Sequence, residues 1–199
     1  NVSGSWNVHE EKWFDKLNPL SHLTLRASYS LTGTPPDAIF TNSVAILRAT
    51  TPYRRFASVK EPGIEIADLA NTGLTYEKKN ELNFGVDFGL WRDRVNVTFD
   101  IYTRNNFDEM GYTPTEGIGG KVLRSANIAE LHSNGMELSV SSTNIKTKDF
   151  SWITNFIYSY THTNITKLHN YASVRQLVNG SGFALKGYPV RALFSVPFV

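Results

Sequence analysis

Leu82-Asn83-Phe84-Gly85-Val86-Asp87-Phe88-Gly89-Leu90 is followed, after Trp91-Arg92-Asp93-Arg94, by Val95-Asn96-Val97-Thr98-Phe99-Asp100-Ile101. Every second residue in both stretches is apolar. Successive side chains of a strand point to opposite faces, so each stretch has one oily face and one wet face. A two-residue turn at Arg92-Asp93, the commonest hairpin length, sets Leu90 opposite Val95, Phe88 opposite Val97, Val86 opposite Phe99 and Phe84 opposite Ile101. Apolar residues then meet apolar partners throughout. On the other face Asp87 meets Thr98 and Glu81 meets Arg104. The second pair fits either an ion pair inside a barrel or two unrelated charges at a fraying strand end.

The same period extends outward along the chain. Leu23, Leu25, Ala27, Tyr29 and Leu31 alternate with Thr24, Arg26, Ser28 and Ser30, and Met136, Leu138 and Val140 alternate with Glu137, Ser139 and Ser141. Residues 150–160 are less regular: Phe150, Trp152, Phe156, Tyr158 and Tyr160 share one parity, but Ile153 and Ile157 interrupt the other. A sixth strand is expected to begin near Val190, and residues 64–70 are expected to form one short helical turn. The connections alternate between short (residues 91–94 and 143–149) and long: about 47 residues from Thr32, about 20 from Asn106 and about 27 from Asn164. In an up-and-down meander every second connection lies on the same side, so the short turns share one side and the long loops the other. Outer-membrane barrels have this asymmetry, and their strands need ~9–11 residues to cross the hydrocarbon. The expected fold is all-β, an antiparallel up-and-down meander of five to six strands forming part of a large transmembrane β-barrel. Residues 34–72, 106–125 and 164–186 are expected to be its external loops.

Composition agrees with a packed protein. Of 199 residues, 41% are hydrophobic and 13% aromatic, and 20 basic residues nearly balance 18 acidic ones. Global disorder is therefore disfavoured, and without a block of like charge nucleic acid is a poor partner. The absence of cysteine excludes a disulfide scaffold and a thiolate metal site. No run approaches the ~18 apolar residues of a transmembrane helix. Both ends, at Asn1 and within the apolar run Ala192 to Val199, read as cuts in a longer chain.

Catalytic and cofactor motifs are weak. His9, His22, His132, His162 and His169 show no ligand spacing, so no metal is expected. Gly117-Ile118-Gly119-Gly120-Lys121 lacks the earlier glycine and the following Ser/Thr of a phosphate loop. No Gly-x-Ser-x-Gly occurs, and no cofactor is expected. Four Asn-x-Ser/Thr triplets, at Asn1, Asn96, Asn164 and Asn179, include one inside a strand, which argues against glycosylation sites. Glu81, Asp87, Asp100 and Glu137 could be paired catalytic carboxylates, but a polar barrel lumen explains them more simply, and the chain is not read as an enzyme. On that basis Arg26, Glu81, Asp87, Asp100, Arg104 and Glu137 are expected to face the lumen, and Leu23, Leu25, Phe84, Val86, Phe88, Val97, Phe99 and Leu138 to face lipid. Trp91 and Trp152 near the short turns, with Tyr29, Tyr158 and Tyr160 near the long loops, would form two aromatic girdles. The alternative is a soluble β-sandwich that binds carbohydrate, whose oily face would pack on a second sheet.

Several segments together resemble the C-terminal barrel region of SusC/RagA-type TonB-dependent transporters of Bacteroidetes outer membranes. They are Leu23-Thr24-Leu25-Arg26-Ala27-Ser28-Tyr29-Ser30-Leu31-Thr32-Gly33; Leu74-Thr75-Tyr76-Glu77-Lys78 with Glu81-Leu82-Asn83-Phe84-Gly85-Val86-Asp87-Phe88; Arg94 with Asp100-Ile101-Tyr102; Asn134-Gly135-Met136-Glu137-Leu138 with Asp149-Phe150-Ser151-Trp152; and Gly187-Tyr188-Pro189. Ser30 departs from the family's usual glycine, and residues 34–68 match nothing in it. The resemblance implies a barrel of about 22 strands in a Gram-negative outer membrane, importing oligosaccharides or peptides. It also implies a SusD-like surface lipoprotein as partner, and energy from the TonB complex acting on a plug that this stretch does not contain.

Overall fold

Period-two apolar patterning produces strands almost everywhere it occurs. A computed structural model describes residues 1–14, 17–35, 44–53, 58–117, 120–169, 184–190 and 192–195. The strands are β1 (Val2–Asn7), β2 (Leu20–Thr34), β3 (Ile46–Thr50), β4 (Gly63–Asp68), β5 (Glu77–Leu90), β6 (Val95–Pro114), β7 (Leu123–Lys146) and β8 (Ser151–Leu168), with a single 3-10 turn at Val8–Glu10. Six of them form one sheet in the order β1-β2-β5-β6-β7-β8, and β3 pairs with β4 in a separate ribbon.

The chain divides into two compact units. The first comprises Asn1–Thr32, Lys79–Asn105 and His132–Asn164. It holds both short turns. Its β1 is a strand that the pattern of residues 22–160 did not reveal. The register Val2↔Tyr29, Gly4↔Ala27 and Trp6↔Leu25 continues the apolar face of β2, while Ser3↔Ser28, Ser5↔Arg26 and Asn7↔Thr24 continue its polar face. A small cluster under the β1–β2 connection buries Val8 and Phe14, with the His9 ring edge-on to Phe14 and His9 Nδ1 3.1 Å from the Leu23 carbonyl oxygen.

The second unit comprises Gly33–Lys78, Asn106–Leu131 and Ile165–Val199. Here β3 and β4 pair antiparallel, Arg48 opposite Glu65, and the Arg48 Nε donates to Glu65 Oε1 at 2.8 Å. Asn127 Nδ2 donates to the Thr75 carbonyl at 2.9 Å, Asn71 Nδ2 to that of Ser125 at 2.6 Å, and Lys78 pairs with Asp108 at 2.8 Å.

Four sequence expectations need correction. Residues 64–70 are not a helical turn: the alternation Ile64-Glu65-Ile66 lies in β4. The sixth strand of the sheet is β1; of the stretch expected to open a strand near Val190, residues 184–190 and 192–195 contain no strand, and residues 191 and 196–199 lie outside the described residues. The β5–β6 turn spans Trp91 to Arg94, and Trp91, Arg92 and Asp93 all have positive φ, so it is wider than a two-residue turn. The long strands also run well into the segments expected to be loops. β6 has 20 residues, β7 has 24 and β8 has 18, against the ~9–11 that span hydrocarbon. Ladder pairing does not stop where the apolar pattern stops, because backbone hydrogen bonds and polar side-chain pairs sustain it. Asn105 Nδ2 donates to Asn80 Oδ1 at 3.0 Å and His132 Nδ1 lies 2.7 Å from Asn105 Oδ1. Residues 106–114, 123–125 and 164–168 are therefore strand, and residues 36–43, 54–57, 118–119 and 170–183 of the expected loops lie outside the described residues.

Candidate functional site

Outside β8, where Ile153 and Ile157 are exposed with the parity of Thr161, the first unit's sheet has two chemically opposite faces. On the polar face, three strands converge on one guanidinium. Arg26 Nε donates to Asp87 Oδ2 at 2.6 Å and Nη2 to Asp87 Oδ1 at 3.2 Å, and Nη2 also donates to Asp100 Oδ2 at 3.1 Å. Two carboxylates share one arginine, whose positive charge offsets the repulsion between them. The cluster closes over Gly85: a Cβ there would lie 2.7 Å from Arg26 Cζ and would also collide with Asp100 Oδ1. The missing side chain is what lets the arginine cross from β2 to β6.

A second group follows along the same face. Arg104 Nε donates to Glu81 Oε2 at 2.7 Å, and Lys79 Nζ is 3.1 Å from that oxygen. The Arg104 guanidinium carbon stands 5.2 Å from the centroid of the Tyr102 ring. Tyr102 lies across Gly135, and its hydroxyl is 2.7 Å from Thr161 Oγ1. His22 Nδ1 is 2.9 Å from Asp93 Oδ1. These pairs are partly solvent-exposed, and such pairs each contribute only ~0.2–1 kcal/mol. Their larger effect is to cancel charge locally along the face.

Of the six polar-face residues singled out from sequence, Arg26, Asp87 and Asp100 form one cluster and Glu81 and Arg104 another. Glu137 is exposed and joins neither. Lys79, Tyr102, Thr161 and the His22–Asp93 pair were missed. Lys79 has the parity of Glu81 and Tyr102 that of Arg104, so both were readable from alternation alone. The contact of His22 with Asp93 depends on the β2–β5 register, which alternation does not supply.

The opposite face is oily and uncovered. Among the described residues only Val8, Phe14 and Ile165 are buried hydrophobics, whereas Leu25, Leu82, Phe84, Ile101, Met136, Phe156, Tyr158 and Tyr160 are exposed. Phe84 is 48% exposed and Phe156 54%, values suited to contact with a solvent that is itself apolar. Leu23, Val86, Phe88, Val97, Phe99 and Leu138 are half-buried between these neighbours. All four tryptophans, Trp6, Trp13, Trp91 and Trp152, are exposed and belong to the first unit; Trp6 and Trp13 had not been singled out. Trp6 Nε1 donates to Glu11 Oε1 at 3.1 Å, so this ring has one dry side and one polar tip. Tyr29 is 47% exposed.

A sheet with one oily, uncovered face and one face of neutralised charge, every interior strand hydrogen-bonded on both sides, is the wall of a membrane-spanning β-barrel. A soluble sandwich built from this stretch alone would have covered Phe84 and Ile101 instead. The chain belongs to the TonB dependent receptor-like β-barrel family, whose family model matches residues 2–193. It is 29% identical over 164 residues to TonB-dependent receptor P3 and 30% identical over 183 residues to TonB-dependent receptor P39, both of Formosa agariphila; these alignments cover 82% and 92% of this chain. It is also 28% identical over 173 residues, 82% of its length, to TonB-dependent receptor SusC of Bacteroides thetaiotaomicron. The chain spans 16% of the length of each of these relatives. Among solved structures, the RagAB peptide importer in its open-open state superposes with a TM-score of 0.77 at 26% identity, over 94% of this chain and 20% of that one. A second RagAB structure, described as a peptide transporter, gives a TM-score of 0.72 at 27% identity, over 84% and 18% respectively. The relatives are receptors and transporters, not enzymes.

Proposed function

We propose that the chain forms part of the barrel wall of an outer-membrane TonB-dependent importer. The observation that carries this is the uncovered oily face, which a membrane-spanning wall requires and a water-soluble domain would hide. On this reading Leu23, Leu25, Phe84, Val86, Phe88, Val97, Phe99 and Leu138 meet acyl chains. Arg26, Glu81, Asp87, Asp100, Arg104 and Glu137 face the lumen or the plug, and the aromatic rings Tyr29, Trp91, Trp152, Tyr158 and Tyr160 mark the two water–lipid boundaries. The plug and the segment that contacts TonB belong to other parts of the parent protein. The cargo class is oligosaccharide or peptide, as the resemblance to SusC/RagA-type transporters implies, and the similar RagAB structures are described as a peptide transporter and a peptide importer. The same relatives support a SusD-like surface lipoprotein as partner and a Bacteroidetes-like outer membrane as location.

The test is growth of a strain lacking the parent protein on oligosaccharide or peptide mixtures as sole carbon source. Growth on one of those mixtures is expected to fail while growth on monosaccharides or free amino acids continues, and a protonophore is expected to block uptake in the complemented strain. Unchanged growth on every mixture, with the protein in the soluble fraction, would reject the reading.

A further inference from the structure

Beside the β5–β6 turn lies a pocket of about 610 Å3 lined by Asn18, Pro19, Leu20, Ser21, Trp91, Arg92 and Arg94. Its walls are tied together. The Trp91 N–H donates to the Pro19 carbonyl at 3.0 Å, the Asp93 N–H donates to Ser21 Oγ at 3.0 Å, and Asp93 holds His22. These ties keep Trp91, Arg92 and Asp93 in the left-handed region, where non-glycine residues are held only by their surroundings.

Neither guanidinium of this pocket meets a carboxylate among the described residues. Arg26, Arg48 and Arg104 each meet a carboxylate. Arg94 instead donates to two backbone carbonyls, Nε to that of Thr143 at 3.4 Å and Nη2 to that of Asn144 at 2.8 Å. Arg92 is exposed and pairs with no carboxylate among the described residues. The one carboxylate of the turn, Asp93, is engaged with His22. The pocket thus presents two guanidiniums, a hydroxyl and an indole. Ser21 continues the parity of Leu23 and Leu25, so this corner sits at the end of the oily face. The second short turn carries Lys146, Lys148 and Asp149 before the exposed Trp152.

We propose that this corner binds the phosphate of a glycerophospholipid in the membrane leaflet at the short-turn end. Guanidinium forks match phosphate oxygens in pairs, and basic residues at a membrane surface are attracted to anionic headgroups. The indole of Trp91 lies at the glycerol level, where amphipathic rings collect. The adjoining oily face receives the acyl chains, which a free phosphate ion lacks. The proposal rests on the membrane-wall reading.

The test uses the full-length protein, extracted from membranes in a non-ionic detergent and titrated with short-chain phosphatidylglycerol, with inorganic phosphate and glycerophosphate as competitors. Arg92→Gln is expected to weaken binding about fivefold and Arg92→Gln with Arg94→Gln about 30-fold. Arg92→Lys should retain most of the affinity, and Arg48→Gln should change nothing. Displacement by inorganic phosphate at concentrations equal to the lipid would make this a free-anion site and overturn the proposal, as would equal binding by the wild type and a folded double variant. If the double variant does not fold, Arg92→Gln alone decides, since that exposed side chain makes no ion pair among the described residues. A protein absent from the outer-membrane fraction would instead sink the membrane-wall reading, before any lipid is added.

Discussion

Val86→Arg is expected to remove most of the folded, heat-modifiable band from outer-membrane preparations, whereas Asp87→Asn leaves it nearly unchanged. The two residues are neighbours in β5 but point to opposite faces. An arginine near mid-bilayer on the lipid face of a barrel costs ~2–4 kcal/mol, a large fraction of the 5–15 kcal/mol that holds a typical native state together. Asp87→Asn removes a charge from a partly exposed cluster in which Arg26 keeps Asp100 as a partner at 3.1 Å, so a loss of no more than ~1 kcal/mol is expected. Densitometry of unheated and boiled samples reads both variants. Equal losses would mean that the two faces do not differ in what they meet.

Gly135→Ala is expected to be the most damaging single-methyl change in the sheet. A Cβ there would sit 2.6 Å from the Tyr102 ring and 2.6 Å from the Tyr160 backbone oxygen. The ring could rotate away only by giving up its hydroxyl contact with Thr161, and the backbone oxygen belongs to the ladder with β8 and cannot move alone. Overpacking of this kind costs ~1–3 kcal/mol. Gly85→Ala meets only the ends of the Arg26 and Asp100 side chains, which can swing aside, so its cost is expected to be smaller. Urea midpoints of the refolded barrel measure both. The double variant Gly135→Ala with Tyr102→Ala should recover part of the loss and no more, because the clash with the Tyr160 oxygen remains. Full recovery would show that the tyrosine alone sets the requirement for glycine.

How legible this was in the sequence follows from what each signal encodes. Alternation reports a difference between two faces, so β2, β5, β6 and the apolar half of β7 could be read directly. It fails where both sides of a strand meet similar surroundings. That is why residues 106–114 and 123–125 passed for loop: their polar residues satisfy one another across strands, as Lys78 and Asp108 do. It also fails for short segments: β1 offers only Val2, Gly4 and Trp6 on its oily side, and β4 only six residues. The Glu81–Arg104 pair was readable because one hairpin fixes its register. The Arg26 cluster was not, since it needs the register of two strands separated by more than 40 residues of intervening chain and a glycine that opens the way. Glu137 shows the limit of parity, which assigns a face but does not supply a partner.

Spin labels at single cysteines introduced one at a time at residues 82–88 of the membrane-embedded protein test the central claim directly; this stretch of the parent contains no native cysteine to interfere. Dissolved oxygen, which concentrates in the bilayer, should collide most often with labels at residues 82, 84, 86 and 88. A water-soluble nickel chelate should favour residues 83, 85 and 87, with the two profiles out of phase along β5. Labels at 84, 86 and 88 that are shielded from oxygen and nickel alike would place protein, not lipid, against that face and would contradict the account.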